Sequence, residues 1–436
     1  MTKLRLATRD TFRSLHSRNF RLFFSGQLIS QVGNWLTLVA QTLLVLRLTD
    51  SGVALGALAV AQFGPILLFG AFAGLVADRS DKRRLLLIVQ TLAMAQSFCL
   101  AALAFSGDPP VAAIYAVAFL GGMTMAFDNP ARRSFVVEMV AEEDIGNAVS
   151  LNSALMTGAR VVGPALAGLL VSTVGFGWCF LVDGVSYVAV LAGLWRIDPS
   201  QLRRPPVTPR ARGQIREGLR YVRSVPELWT PLVMMTVVGN LAFNFQTTVP
   251  LFVTRDLGGS DVTFTLLMSV ISAGSLLGAL ATARRRWVGV RGVSLAATGF
   301  GVAMALLAVA PNQPAAFAVG LLVGLSSIGF MTSSTAIVQM TAIPSMRGRV
   351  LALQAMVFLG STPIGGPIVG TIAEHWGARW SLALGATGAL IAGLCGLMTV
   401  RRGAAGAVPA AAPAGVAAVE LAGPMLVDPL ITPRAS

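Results

Sequence analysis

The sequence is poor in charge. Only 12% of its 436 residues are Asp, Glu, Lys or Arg, about half the share usual in a water-soluble domain. Such a chain cannot dress a soluble surface of its size, so much of its apolar mass must meet lipid. Histidine is rarer still. His16 and His375 are the two, and neither falls in the middle of an apolar run, which excludes a histidine proton relay and a histidine-based metal centre. Cysteine is as sparse. Cys99, Cys179 and Cys395 lie inside apolar runs, without metal-ligand spacing and in an odd number that allows no complete disulfide set. No metal and no cofactor are therefore expected. A nucleotide-binding loop is missing, as is any cluster of His, Asp and Glu near one membrane face, so an enzyme is not expected. Residues 1–20 are basic and polar and lack the apolar core of a signal peptide.

What is present is apolar length. Runs at 22–46, 53–77, 85–104, 111–127, 148–171, 176–195, 232–253, 262–283, 292–309, 315–338, 350–373 and 380–400 each hold roughly 17–25 residues. That is enough to cross about 30 Å of hydrocarbon at 1.5 Å per residue. The prediction is an all-α integral membrane protein with twelve transmembrane helices. Lys and Arg orient it. Of 33 basic residues, Arg47, Arg255 and Arg379 alone fall in loops on the opposite side, and Arg160 alone falls inside a span. Both termini are expected in the cytoplasm, with the spans in the inner (plasma) membrane. The net charge of +14 is then a topology signal, and no nucleic-acid partner is expected.

The loop 197–227 divides the spans into two sets of six. The predicted units are an N-terminal six-helix bundle at 1–196, a cytoplasmic linker at 197–227, a C-terminal six-helix bundle at 228–402 and a disordered tail at 403–436. Within the linker, 212–223 suits a basic amphipathic helix on the membrane surface. The halves look like diverged copies. Gly33-Asn34 stands as far before Asp50 as Gly239-Asn240 stands before Asp256. Ser51 and Ser260 then head the second and eighth spans, and basic clusters follow at 82–84 and 284–286. Parallel repeats of this kind place a substrate site between halves that rock against one another.

Two motifs bear on mechanism. After the second span the chain reads Gly74-Leu75-Val76-Ala77-Asp78-Arg79-Ser80-Asp81-Lys82-Arg83-Arg84. This resembles the signature loop of the major facilitator superfamily, G-x-L-A-D-R-x-G-R-K, with Asp81 in place of a Gly. The resemblance implies two six-helix bundles and a cytoplasmic latch made by Gly74, Asp78, Arg79, Lys82 and Arg83. The fifth span contains Gly158, Gly163, Pro164 and Gly168 and is similar to the superfamily's export-associated motif, G-x-x-x-G-P-x-x-G-G. It departs at Ala167 and by one extra residue before Gly163. Plain helix packing would use the same residues. Asn19-Phe20-Arg21-Leu22-Phe23, Asp128-Asn129-Pro130-Ala131-Arg132 and Arg347-Gly348-Arg349-Val350 look like the branch of enterobactin exporters and macrolide-efflux-like proteins.

Arg160 and Asp183 are the ionisable residues deepest in the predicted hydrocarbon. Their depths differ by roughly 6 Å, so they are expected to face each other, as a proton-responsive pair or as a static one. Polar and soft residues at helix centres, Gln31, Asn34, Trp35, Met123, Asn240 and Asn244, are expected to wall the cavity. The expected function is export of small amphipathic molecules, drugs or secreted metabolites such as siderophores, by proton antiport. The partners are a small-molecule substrate, protons and the lipid bilayer, and the protein is expected to act as a monomer. Uptake or lipid movement on the same scaffold is the alternative.

Overall fold

The computed structural model describes residues 11–203, 214–283 and 289–406. Twelve helices among them are long and apolar enough to cross a membrane. The N-terminal half consists of α1 (Arg18–Thr49), α2 (Gly52–Arg79), α3 (Lys82–Phe105), α4 (Val111–Glu138), α5 (Ile145–Thr173) and α6 (Phe176–Arg196). A short helix, α7 (Gln214–Ser224), precedes the C-terminal half. Span seven is α8 (Pro226–Leu241), α9 (Phe245–Leu251) and a π turn at Phe252–Asp256. Then follow α10 (Asp261–Ala283), α11 (Val290–Ala308), α12 (Gln313–Thr341), α13 (Pro344–Trp376) and α14 (Ala378–Gly406). With an even number of spans, the first and last described residues lie at one end of the bundle, called proximal below. The other end is called distal.

Local chemistry places the breaks. Ser17 caps α1 by accepting from the Phe20 N–H, Ser51 caps α2 through Ala54, and Asn312 caps α12 through Ala315. Asp81, where the resemblance calls for Gly, caps α3 by accepting from the Arg84 N–H at 3.0 Å. Asp50 turns the chain between α1 and α2 with a left-handed φ of 42°, a region that Asp enters more readily than most residues. Span seven breaks at 242–244. There the Asn244 amide donates to the Asn240 carbonyl at 2.6 Å and competes with the backbone for it. Pro250 weakens the next turn.

Large apolar side chains face outward all round the bundle, among them Leu28, Leu68, Ile88, Leu120 and Leu280. On a soluble protein such a surface would drive association; in a bilayer it is the lipid contact. Trp195 at the proximal end of α6, and Trp376 and Trp380 at the distal turn, are also exposed, at the depth where indoles favour the interface.

Two expectations change. The tail boundary moves, because α14 runs through 403–406 to Gly406; 407–436 lie outside the described residues, as does the basic cluster 284–286. The linker helix is seated on protein. Val222 is fully buried, Glu217 pairs with Arg349 at 2.7 Å, and the Tyr221 hydroxyl accepts from the Ile343 N–H at the start of α13. Arg212 lies outside the described residues.

Candidate functional site

Three regions carry the polar chemistry: a distal clasp between the halves, a buried carboxylate in the N-terminal half, and the proximal loop.

The clasp is assembled from both halves. Among the described residues, every hydrogen bond that crosses between them lies toward the distal end. Arg47 pairs with Asp261 at 2.9 Å. Arg255 reaches Asp50 and Glu374, each at 3.5 Å, and also donates to the Asp50 carbonyl. Glu374 accepts the Gly52 N–H at 2.6 Å, and Thr42 donates to Gln246 at 3.2 Å. Small residues let the backbones close beneath these pairs. A Cβ on Gly52 would strike the Gly370 carbonyl, one on Gly56 would strike Pro367, and one on Gly168 would strike Thr265. The export-associated motif thus has a structural use, since Gly168 seats α5 against α10. Gly163 does the same within the half, where a Cβ would collide with Trp35, whereas the space around Gly158 is open.

At the proximal end the halves part. Gly74 continues the face of α2 that carries Gly52 and Gly56, yet a Cβ there would meet no heavy atom within 4 Å. No close helix contact is therefore made at Gly74 in this conformation. The loop instead binds its own half. Lys82 pairs with the buried Glu138 at 2.7 Å, and Arg83 donates to the Leu194 and Trp195 carbonyls at 2.7 and 2.9 Å, closing the C-terminus of α6. Asp78 is partly buried and Arg79 is exposed.

Asp183 is 1% exposed. Thr37 and Ser97 both donate to its Oδ2, at 2.6 and 2.8 Å. Its Oδ1 is buried without a hydrogen-bond partner and lies where a Cβ on Gly33 would go. Gly33 is thus the residue that makes room for the carboxyl. The expected pair with Arg160 does not form. The two side chains come from adjacent helices at similar depth, but Asp183 is engaged by α1 and α3, while the Arg160 guanidinium lies over the Trp35 ring, 5.8 Å from its centroid.

A second ionic centre was not foreseen. Asp128 and Arg132, one turn apart on α4, pair at 3.1 Å. Gln90 donates to Asp128 at 2.7 Å, and Arg132 also donates to Asn129 and reaches Gln27 and Met156. The signal available was the Asp-x-x-x-Arg spacing, which puts the two on one helix face. Asn19 of the same resemblance clamps the backbone of Asp198 with both amide atoms, holding the start of α1 to the end of α6. The side chain and N–H of Ser200 hold the Asp198 carboxyl below the usual carboxylate range.

The expected cavity residues divide. Gln31 is buried and donates to Gln27 at 2.8 Å. Asn34 is exposed and accepts from the Tyr187 hydroxyl at 2.8 Å. Trp35 and Met123 are partly buried. Asn240 and Asn244 flank the break in span seven, and the carbonyl oxygen of each side chain is buried without a partner. The repeat does not preserve contacts: Gly33 faces Asp183, whereas Gly239 faces Ser361.

The comparisons with known proteins agree with this architecture. Residues 9–422 match the family described as transmembrane secretion effector, a major facilitator group. The staphyloferrin A transporter of Staphylococcus aureus is 25% identical over 82% of this chain and 90% of its own length. The multidrug efflux pump Tap of Mycolicibacterium fortuitum is 28% identical, over 82% and 89%. Macrolide efflux protein A of Streptococcus pyogenes is 23% identical, over 86% and 95%. Among solved structures, a peptide-transporter-family protein bound to 5-aminolevulinic acid shares the fold with a TM-score of 0.73 at 11% identity, covering 88% of this chain and 96% of its own. An inward-facing bacterial homologue of the lysosomal transporter Spinster gives 0.64 at 15% identity, over 88% and 96%. A helical bundle of twelve spans, the signature loop and a family match over nearly the whole chain lead to one conclusion: the protein is a membrane transporter belonging to the transmembrane secretion effector family of the major facilitator superfamily.

Proposed function

We propose that the protein is a secondary active exporter of small amphipathic molecules, working by proton antiport across the inner (plasma) membrane with both termini in the cytoplasm. The efflux and siderophore-transport relatives support the direction. The distribution of basic residues supports the orientation, which makes the proximal end cytoplasmic and the conformation described here inward-facing. On this reading 1–196 and 228–402 are the two rocking units, 197–227 joins them, and the protein works as a monomer.

The observation that carries proton coupling is Asp183. It is a carboxyl group buried among helices, with no cation within ion-pair distance among the described residues and with one oxygen unpartnered. A charge in such a place is costly, and such groups mark proton routes. Hydroxyls of Thr37 and Ser97 steady the ionised form, so the site can exist in both states. Arg160 is not needed to hold it.

The test is accumulation in inverted vesicles with and without an imposed pH gradient, for a panel of macrolides and siderophores. The wild type should accumulate substrate in the vesicle lumen faster with the gradient. Asp183→Asn should lose that acceleration while keeping gradient-independent exchange. Full gradient-driven transport in the variant would remove Asp183 as the carrier.

A further inference from the structure

Arg160 stands at the middle of α5, about 22 Å from its start and about 20 Å from its end. It makes no hydrogen bond and no ion pair with any described residue; its one recorded partner is the Trp35 ring. Arg132 makes the contrast. That guanidinium, one helix away, is bonded to Asp128, Asn129, Gln27 and Met156. One cation in the half is saturated and the other is bare.

The bare one is not facing lipid. Arg160 lies on the side of α5 that carries Met156, which touches Arg132, and Pro164, which is buried; Gly163 beside them packs on Trp35. Val162 and Leu169, on the other side, take the lipid contact. Arg160 itself is only partly buried, so its side chain is not closed off by packing. An indole face contributes about 0.5–2 kcal/mol to a cation. That does not offset an unpaired charge at mid-membrane, and five N–H donors remain without acceptors. A guanidinium fork matches a carboxylate at two points, and the flat indole beside it offers an apolar platform for the organic body of such a ligand.

We propose that Arg160 and Trp35 form an anion-recognition subsite, and that the carried molecules are amphipathic carboxylates. The substrate assignment rests on the exporter reading; the subsite does not.

The test uses the full chain in nanodiscs of zwitterionic lipid, with naphthylacetate and its neutral methyl ester as probes and tryptophan fluorescence as the readout. The wild type should bind the acid at least tenfold more tightly than the ester. Arg160→Gln should bring the two together by weakening the acid alone, Arg160→Lys should keep part of the preference, and Trp35→Phe should weaken both probes while keeping it. Equal binding of acid and ester by the wild type would overturn the proposal. So would an equal loss of both probes in Arg160→Gln, which would mean a structural role. Loss of the acid preference when anionic lipid is added, in the wild type alone, would give the site to a lipid headgroup and overturn the substrate assignment. If the wild type binds the acid as stated yet cells expressing it fail to expel naphthylacetate, the export reading fails and the subsite stands.

Discussion

Arg255 offers the sharpest handle on the conformational cycle, because it bonds both the carboxylate and the carbonyl of Asp50 across the halves. Arg255→Gln removes the pairs to Asp50 and Glu374 at 3.5 Å and the charged bond to the Asp50 carbonyl. The Glu374 pair lies within the C-terminal half and does not resist opening; the Asp50 pair, with side chains 29% and 82% exposed, contributes about 0.5 kcal/mol after solvent screening. The charged bond to a carbonyl adds about 1.5 kcal/mol. Part of the total returns through the Gln amide, leaving about 1.5 kcal/mol, or a roughly tenfold change in the ratio of distally closed to distally open molecules. Spin labels at Asp108 and Pro311, in a background free of Cys99, Cys179 and Cys395, would report it by pulsed electron resonance as growth of a longer-distance population. Arg379→Gln is the control, since Arg379 bonds Asp256, Ala308 and Ala310 within its own half. If Arg255→Gln leaves the distance distribution unchanged, or if the control moves it equally, the clasp is not what holds the distal end shut.

Other outcomes follow from packing. Gly33→Ala puts a methyl group on the Asp183 carboxyl and should destabilise the protein by about 1–3 kcal/mol, read as a lower thermal midpoint in detergent; Gly158→Ala, in open space, should leave the midpoint unchanged. Lys82→Met strands the buried Glu138 and should lower stability by about 3–5 kcal/mol. Adding Glu138→Leu should recover most of that loss, and a double variant no better than the single one would show that the pair is not the cause. Gly168→Val wedges α5 away from Thr265 and should enlarge the same open population that Arg255→Gln enlarges, measured with the same labels.

The spans were legible because apolar length is one-dimensional. A crossing needs no knowledge of neighbours. Asp81 as a cap could also have been read, as an Asp just before a helical run. The interior could not. The position of Asp183 and Arg160 along their helices follows from the sequence, but position along a helix does not give azimuth. A rotation of α5 by a fraction of a turn decides whether Arg160 meets a carboxylate or an indole, and Gly163 against Trp35 is what sets that rotation. Asp128 and Arg132 escaped for the opposite reason. They lie toward the proximal end of α4, where a basic residue reads as a loop signal, and only the packing of Gln27 and Gln90 shows that they are inside.

The repeat that relates the halves is a repeat of scaffold and not of chemistry. The buried ionisable side chains among the described residues, Arg132, Glu138 and Asp183, all belong to the N-terminal half. The C-terminal half buries hydroxyls and amides in their place, such as Ser272, Ser333, Gln354 and Asn244. Its charged residues at the clasp, Arg255, Asp261 and Glu374, lie at the rim. An interior of neutral dipoles has no charge state to change, so within the bundles a proton can alter the energy of one half and not of the other. The clasp and the Gly52–Gly370 and Gly168–Thr265 contacts join the two halves at the distal end. On the proposed proton antiport, coupling requires that a charge change around Asp183 be felt through α1 and α2, whose distal ends carry Arg47, Asp50 and Gly52 into the clasp. Gly33, which touches Asp183, and Arg47, which holds Asp261, are on the same unbroken helix, and span seven, its counterpart in the other half, is broken. The unbroken helix is the one that can transmit a displacement along its whole length, so substitutions that interrupt α1 between Gly33 and Arg47 should uncouple transport from the proton gradient, whereas the same substitutions at 242–244 should not.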